Sequence, residues 1–243
     1  MKLSIVIPAH NEEKTLEAII NKVIAIKIEN TLIEIIIVND GSKDNTYSVM
    51  QLIANKFDNI KILNNERNLG KSQTVRRGIL ETSGDYVVIQ DADLEYDPQD
   101  IVTMFEILLS KNLDVVYGNR FGRNNKVIYW NNYIGNICLS FISNVFTYLR
   151  IYKYIPDMEV CYKMANGKVM REIAQGLESV SMFGLEPEIT AKLSKYKINN
   201  NHLKFDVLPI SYYPRSIDEG KHMNALRHGS LALFEIIKFN LFR

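Results

Sequence analysis

Two aspartates stand two residues apart in the run Asp91-Ala92-Asp93, and Glu95 follows at the same spacing. Carboxylates at i and i+2 can present oxygens to one hard divalent cation where the backbone turns. Mg²⁺ and Mn²⁺ favour such oxygens, and Mg²⁺ typically takes one or two carboxylates and completes its shell with substrate phosphates. The same pattern also caps helices. Its position one residue past the apolar run YVVI favours the metal.

Other candidates share that setting. Asp40 closes IEIIIVND (33–40), where a lone carboxylate can accept hydrogen bonds from a base edge or from ribose hydroxyls, or can simply open the DGS turn. Glu12 can serve its own helix or contact a nucleotide. Arg120 in GNR, and Arg215 and Lys221 in RSIDEGK, are cations of the kind that hold phosphate. Arginine does so bidentately and lysine as a point charge. A solvated loop is the competing reading of 215–221. Other chemistries find no support. G-x-S-x-G, G-x-G-x-x-G and G-x-x-x-x-G-K-[ST] are all missing, and His10, His202, His222 and His228 lack zinc spacing.

These residues need elements to position them. LSIVIP (3–8), 33–40, IKILNN (60–65), DYVVIQDAD (85–93) and LDVVYGNR (113–120) read as buried strands. Between them lie helical patterns: one after Asn11 with Glu12 and Glu13 in its first turn, one over 46–57 capped by Asp44 or Asn45, one after NLGK, and one opened by Pro98. Alternating strands and helices predict an α/β fold, a mainly parallel central sheet with helices on both faces. Ligands then bind beyond the carboxyl ends of the strands. The clusters PAHNE, NDGS, NERNLGK, DADLE and GNR all lie there, so separate segments converge on one edge. Beyond residue 123 the pattern predicts one or two amphipathic helices over 127–150, a turn into a strand over 155–165, a helix over 183–196, a strand leading to a loop over 205–216 and a helix over 222–243.

Composition bounds the answer. At about 150 residues per domain, the 243 residues make one large domain or two small ones. A composition 47% hydrophobic and 23% charged excludes a disordered chain. A net charge of +1 argues against nucleic acid as a partner. Cys138 and Cys161 form neither a disulfide framework nor a C-x-x-C pair, and both are expected to be buried thiols. No signal peptide is expected from the start MKLSIVIPAHNEE, and no membrane span from any apolar run, which predicts a cytoplasmic chain.

SIVIPAHNEE, VNDGSKDNT, NERNLGKSQTVRRG, GDYVVIQDADLEYDP and VVYGNRF together resemble family 2 glycosyltransferases of the GT-A fold. QDADLEYDP, DMEVCYK (157–163), FGLEPEITAKL (183–193) and ISYYPRSIDEGK (210–221) resemble the dolichyl-phosphate mannose synthase-like branch, which acts on polyprenyl phosphates. The resemblance implies a single domain, with a nucleotide-sugar half (1–122) and an acceptor half (123–243) around one cleft. It implies that Pro8, Ala9, Glu12, Asp40, Lys71, Asp91, Ala92 and Asp93 bind the nucleotide sugar. Asp91, Asp93 and Glu95 would hold Mg²⁺ or Mn²⁺. Arg120, Arg215 and Lys221 would meet the donor diphosphate and the acceptor phosphate. The implied reaction is an inverting transfer of a hexose from a GDP- or UDP-sugar. A polyprenyl phosphate acceptor needs no general base. A saccharide hydroxyl does, and Glu186 and Glu188 are the candidates, with Glu188 carried as catalytic. The region 127–140 lacks the arginine that branch members carry there, and His228 stands where many relatives have aspartate. The apolar-plus-basic segments 127–150 and 222–243 would lie on the cytoplasmic face of a membrane, or pack on the core or on a second copy of the chain.

Overall fold

A computed structural model describes residues 1–181, 183–215 and 225–243, with 225–227 as backbone only. In chain order the elements are β1 (Lys2–Ala9), α1 (Leu16–Ile24), β2 (Leu32–Asp40), α2 (Thr46–Ala54), β3 (Ile60–Asn65), α3 (Lys71–Leu80), β4 (Tyr86–Ile89), α4 (Gln99–Ser110) and β5 (Val115–Asn119). There follow α5 (Trp130–Ile151), β6 (Lys163–Asn166), α6 (Gly167–Gln175), α7 (Leu185–Lys195), the small hairpin β7 (Lys197–Ile198) and β8 (Asn201–His202), β9 (Phe205–Pro209) and α8 (Ala225–Ile237). A π-helical turn, Lys238–Phe242, closes the chain.

Among the described residues the central sheet runs β3-β2-β1-β4-β6-β5-β9. Only β6 is antiparallel to its neighbours. The expected mainly parallel α/β sheet is therefore what forms. Its middle strands are buried on both sides: Leu3, Ile5, Val6 and Ile7 in β1 and Ile35 to Val38 in β2 are shut off from water. That is why they read as continuous apolar runs rather than as alternating ones. The order steps one way from β1 to β3 and then reverses to β4. With right-handed crossovers, α1 and α2 cover one face and α3 the other, where Gly78 lies against Val6 and Val38, while α4 lies on the side opposite α3, its Phe105 packed on Tyr86. The reversal opens a crevice between the carboxyl ends of β1 and β4, where α/β sheets bind ligands.

Two boundaries differ from the sequence reading, and one alternative in it is decided. β4 ends at Ile89, not at 93, and Leu94 turns the chain with φ +62°. The Asp91–Glu95 segment thus becomes a loop free to face the crevice. α1 starts at Leu16, because Asn11 takes φ +55° and the Glu12 and Glu13 amides donate to Thr46 Oγ1 and Asp44 Oδ2. Asn45 makes no side-chain cap on α2, whereas Asp44 Oδ1 accepts from the Thr46 amide at 3.0 Å.

Where one or two helices were expected over 127–150 a single one forms, α5 (Trp130–Ile151), and by length and composition this helix is long enough and apolar enough to cross a membrane. The expectation that no such segment exists is corrected: asparagines and hydroxyl residues interrupt the apolar run, but no charge does until Arg150. Cys161 is buried as expected, but Cys138, on α5, is exposed.

Opposite the crevice, Glu34 ties three segments together. Its carboxylate pairs with Lys2 Nζ at 2.8 Å and accepts from Ser4 Oγ, the Ser83 amide and Ser83 Oγ. Burial opposes its ionisation, yet these partners hold its pKa down at about 2. A lowered folded-state pKa adds stability above the unfolded value of about 4.3, and that stability is lost as pH falls through the folded value. Glu34→Gln should therefore lower stability by about 2 kcal/mol at pH 7 and by almost nothing near pH 2. Urea melts at both pH values check this.

Candidate active site

The β1–α1 and β2–α2 loops are laced together at the crevice. His10 Nδ1 contacts Asp40 O at 2.8 Å, and Asn11 exchanges hydrogen bonds with Ser42 Oγ and the Lys43 amide. Pro8 and Ala9 end β1 just below. Asp40 is buried with both oxygens engaged: Oδ1 accepts from Asn65 Nδ2 and the Leu69 amide, and Oδ2 from the Gly70 amide. Its carboxylate shapes the 65–70 loop rather than projecting into the crevice. Gly41 lets that loop close, since it has φ +61° and an added Cβ would lie 2.4 Å from the Arg67 carbonyl carbon.

Each aspartate of the triplet faces its own cation. Lys71, at the start of α3, lies 2.9 Å from Asp91 Oδ1 and 3.2 Å from Glu186 Oε1. Burial opposes its charge, but Asp91 and Glu186 overcome this and hold its pKa well above the ordinary lysine value. Arg215 Nη2 lies 2.8 Å from Asp93 Oδ2, with Nη1 3.6 Å from Glu12 and Nε 3.8 Å from Glu95. Burial, with Asp91 and Glu95 nearby, pushes Asp93 up to about 7 despite Arg215. Ala92 is buried between the two aspartates.

Glu95 departs from its expected role as a metal ligand. Oε2 accepts from Tyr212 Oη at 2.9 Å, Oε1 accepts from the Arg215 amide at 2.8 Å, and its carbonyl accepts from the Tyr213 amide. It fastens the 212–215 segment over the crevice. Among the described residues no three His, Cys, Asp or Glu side chains converge as a metal-holding group. Asp91 and Asp93 remain, which suits a cation that takes one or two carboxylates and draws its other ligands from phosphate and water. A metal fits here, because the place beside Asp93 already holds a cationic guanidinium.

Arg120 is fixed more firmly than the sequence suggests. Asp157, fully buried, accepts from its Nε and Nη2 at 2.7 Å and from its amide at 3.0 Å. The guanidinium also lies 5.2 Å from the centre of the Tyr212 ring. Asp157 stood inside the DMEVCYK motif without a role, and only its proximity in space to Arg120 reveals one. Glu188 is also corrected. It is fully buried, accepts from the Glu178 and Ser179 amides, and pairs with Lys192 at 3.0 Å. It secures the loop before α7 and is not placed to act as a base. Glu186, two residues earlier, is the one that reaches Lys71. Lys221 lies outside the described residues.

Two hollows meet at this site. An open cleft is lined by His10, Glu12, Lys14, Asp93 and Arg215. A second, with an empty volume of about 740 Å³ including its mouth, is lined by Arg120, Phe121, Lys126, Tyr129 and Tyr133. Asn125, Lys126, Ile128, Tyr212 and Pro214 border both. One hollow is thus polar and carries Asp93, while the other joins cations to aromatic walls.

The profile of glycosyl transferase family 2 matches residues 4–173, which include the ends of β1 to β6. The chain belongs to glycosyl transferase family 2. Among curated members, it is 34% identical over 134 residues to a dolichol-phosphate mannosyltransferase of Pyrococcus furiosus, an alignment covering 54% of this chain and 36% of the relative. It is 38% identical over 118 residues to an undecaprenyl-phosphate 4-deoxy-4-formamido-L-arabinose transferase of Yersinia pestis, covering 47% of this chain and 36% of that one. The match thus spans about a third of the length of these relatives.

Solved structures of glycosyltransferases share the GT-A fold. Glucosyl-3-phosphoglycerate synthase from Mycobacterium tuberculosis, solved with Mn²⁺, UDP and phosphoglyceric acid, superposes with TM-score 0.69 at 18% identity, covering 100% of this chain and 79% of that one. Staphylococcus aureus TarS gives TM-score 0.61 at 16% identity, covering 98% and 71%. This family 2 glycosyltransferase therefore has the expected fold and the expected family.

Proposed function

We propose that this glycosyltransferase moves a hexose from a nucleoside diphosphate sugar, GDP- or UDP-linked, to a polyprenyl phosphate. The observation that carries the reading is the pair of adjoining hollows, one bearing the Asp93 carboxylate with Glu12 and Arg215 and the other combining cations with aromatic walls. The donor diphosphate belongs in the first. Pro8, Ala9, Glu12 and the loop organised by Asp40 form the wall against which its nucleoside would rest. Asp91 and Asp93 would hold Mg²⁺ or Mn²⁺, which would neutralise charge on the departing diphosphate. The Mn²⁺ and UDP in the Mycobacterium tuberculosis enzyme support this donor chemistry.

The chain's own groups do the rest. Arg215 can leave Asp93 for the diphosphate, to which guanidinium binds in fork geometry. Lys71 keeps Asp91 and Glu186 fixed. In the second hollow, Lys126 and Arg120 favour an anionic acceptor head, and Phe121, Tyr129 and Tyr133 favour an apolar tail. An acceptor phosphate oxygen attacks the anomeric carbon in line, a new carbon–oxygen bond forms, and the bond to the nucleoside diphosphate breaks with its electron pair on the leaving group. No proton has to move. That agrees with a site in which Glu188 is locked by two amides and Glu186 is tied to a lysine, so neither stands ready to deprotonate a hydroxyl. The polyprenyl-phosphate substrates in the relatives' names support the same acceptor.

The test is an acceptor panel. Purified protein with Mn²⁺ and labelled GDP- or UDP-sugars is offered a short polyprenyl phosphate or a set of oligosaccharides. Label is expected in the organic phase with the lipid alone. Label on an oligosaccharide and none on the lipid would replace this reading with a hydroxyl acceptor. Donor binding without transfer to any acceptor would point to a nucleotide-sugar sensor.

A further inference from the structure

The motif DMEVCYK (157–163) holds a second carboxylate besides Asp157. β6 lies between β4 and β5 and runs against both. The segment that leads into it, 157–162, therefore crosses the sheet edge at which β4 runs on to Asp91 and β5 to Arg120. Backbone contacts pin it there: the Met158 amide donates to Ser140 Oγ at 2.8 Å, the Cys161 amide to Tyr96 Oη at 3.3 Å, and the Gly118 amide to the Tyr162 carbonyl at 2.8 Å. Glu159 sits in the middle of this fixed segment. Its Oε1 is shut off from water without a hydrogen bond among the described residues, although the residue as a whole is only half-buried. The cations around it are engaged elsewhere, Arg120 by Asp157 and Lys163 by the Val160 carbonyl. Burial and the nearby Glu186 push Glu159 up to about 8, against the opposing charges of Lys163 and Arg120. A buried polar atom left unpaired is destabilising, and native proteins rarely keep one without a use for it.

We infer that Glu159 reads a hydroxyl of the transferred hexose and so helps to decide which sugar the enzyme accepts. Its neighbours give the place. On one side is Glu186, which reaches Lys71 and through it Asp91; on the other is Arg120 of the aromatic hollow. The inference rests on the donor and acceptor assignments made above. In an in-line transfer the sugar lies between the departing diphosphate and the attacking oxygen. A group that stands between the Asp91 side and the Arg120 side therefore stands beside the sugar ring. A hydroxyl is both donor and acceptor, so a carboxyl can bond it whether ionised or protonated. Such a bond would satisfy the atom that the free protein leaves unpaired. A hexose without that hydroxyl would leave it unpaired still, and sites built in this way discriminate strongly on a single hydroxyl. The backbone contacts of 158–162 keep the carboxyl from turning away, which is what selective recognition needs.

The test leaves the acceptor out. The full chain with Mn²⁺ is titrated calorimetrically with UDP, GDP, UDP-glucose, UDP-galactose and GDP-mannose. Glu159→Met removes the carboxyl and keeps the length of the side chain, whereas Glu159→Gln keeps a donor and an acceptor. The sugar nucleotide that the wild type binds best should bind Glu159→Met about tenfold more weakly. Its nucleoside diphosphate should bind both proteins alike, and Glu159→Gln should keep most of the affinity for the sugar nucleotide. Among monodeoxy forms of that sugar nucleotide, the one lacking the hydroxyl in question should bind the wild type and Glu159→Met equally. Loss of an unpaired buried carboxyl should not lower the melting temperature, so the variant is expected to fold. Equal affinity of the wild type and Glu159→Met for the sugar nucleotide overturns the inference. So does an equal loss of affinity for the nucleoside diphosphate, which would make Glu159 a merely structural residue. Absence of Mn²⁺-dependent binding of both UDP and GDP to the wild type overturns the donor reading and this inference with it, so the two failures are told apart.

Discussion

Arg215→Gln should tighten the binding of Mn²⁺ to the free protein and weaken it once a nucleoside diphosphate is present. Without metal, the guanidinium lies 2.8 Å from Asp93 and within 4 Å of Glu12 and Glu95. It holds the position that a divalent cation has to take. Removing one half-buried competing ion pair of this kind should improve affinity about tenfold. With a diphosphate bound, the same arginine becomes a phosphate ligand, so the variant should then bind the metal–nucleotide pair about tenfold or more weakly. Transfer should fall about 10²- to 10³-fold, because the lost interaction matters most as charge builds on the leaving group. Mn²⁺ titrations followed by electron paramagnetic resonance measure both affinities. They are best run above pH 8, because Asp93 is pushed up to about 7 even with Arg215 beside it and higher once that charge is removed. The Arg215 amide would still hold Glu95, so the 212–215 segment should stay in place. Equal affinities in variant and wild type, with and without nucleotide, would show that Arg215 neither competes with metal nor serves the diphosphate.

The second large effect concerns Asp157. Asp157→Asn leaves the Arg120 guanidinium buried without a counter-charge, and breaking a buried pair on one side costs about 3–5 kcal/mol. For a chain of this size that corresponds to a fall of about 10 °C in melting temperature. The double variant Arg120→Met, Asp157→Leu should recover much of the loss in stability, because neither charge remains to be desolvated. It should not recover transfer, since the arginine of the aromatic hollow is gone. Calorimetry on the set of variants reads the stability, and the acceptor assay reads the function. A drop below about 1 kcal/mol for Asp157→Asn would mean that solvent reaches the pair and that Arg120 is free to move.

Local chemistry made much of this legible in the sequence. Doubly buried strands such as SIVIP and IEIIIVND have an unmistakable composition, and the parallel order follows from their alternation with helices. The carboxyl-end rule then gathered Glu12, Asp40, Asp91, Asp93 and Arg120 at one edge before any coordinates. Partnerships between distant segments were less accessible. Asp157 meets Arg120 across 37 positions and Glu95 meets Arg215 across 120, and no periodicity encodes such pairs. Glu186 and Glu188 both lie in the first turn of α7, and which one faced the cleft depended on how the preceding loop folds back: the Glu178 and Ser179 amides claim Glu188, and Glu186 is left for Lys71. Helix α5 misled for a different reason. Its polar residues look like interruptions of an apolar segment, and only the fold shows that they are the buried side.

The role proposed for Asp91 and Asp93 is to hold a divalent cation and a sugar nucleotide for transfer to a lipid phosphate. Its most direct test is the yield of organic-phase labelled product with Mn²⁺, a short polyprenyl phosphate and the matching sugar nucleotide, compared between wild type and Asp93→Asn. Metal-dependent product is expected from the wild type and a loss of about 10³-fold in the variant, with circular dichroism unchanged. Undiminished transfer by Asp93→Asn, or full wild-type transfer in the presence of a chelator, would contradict it.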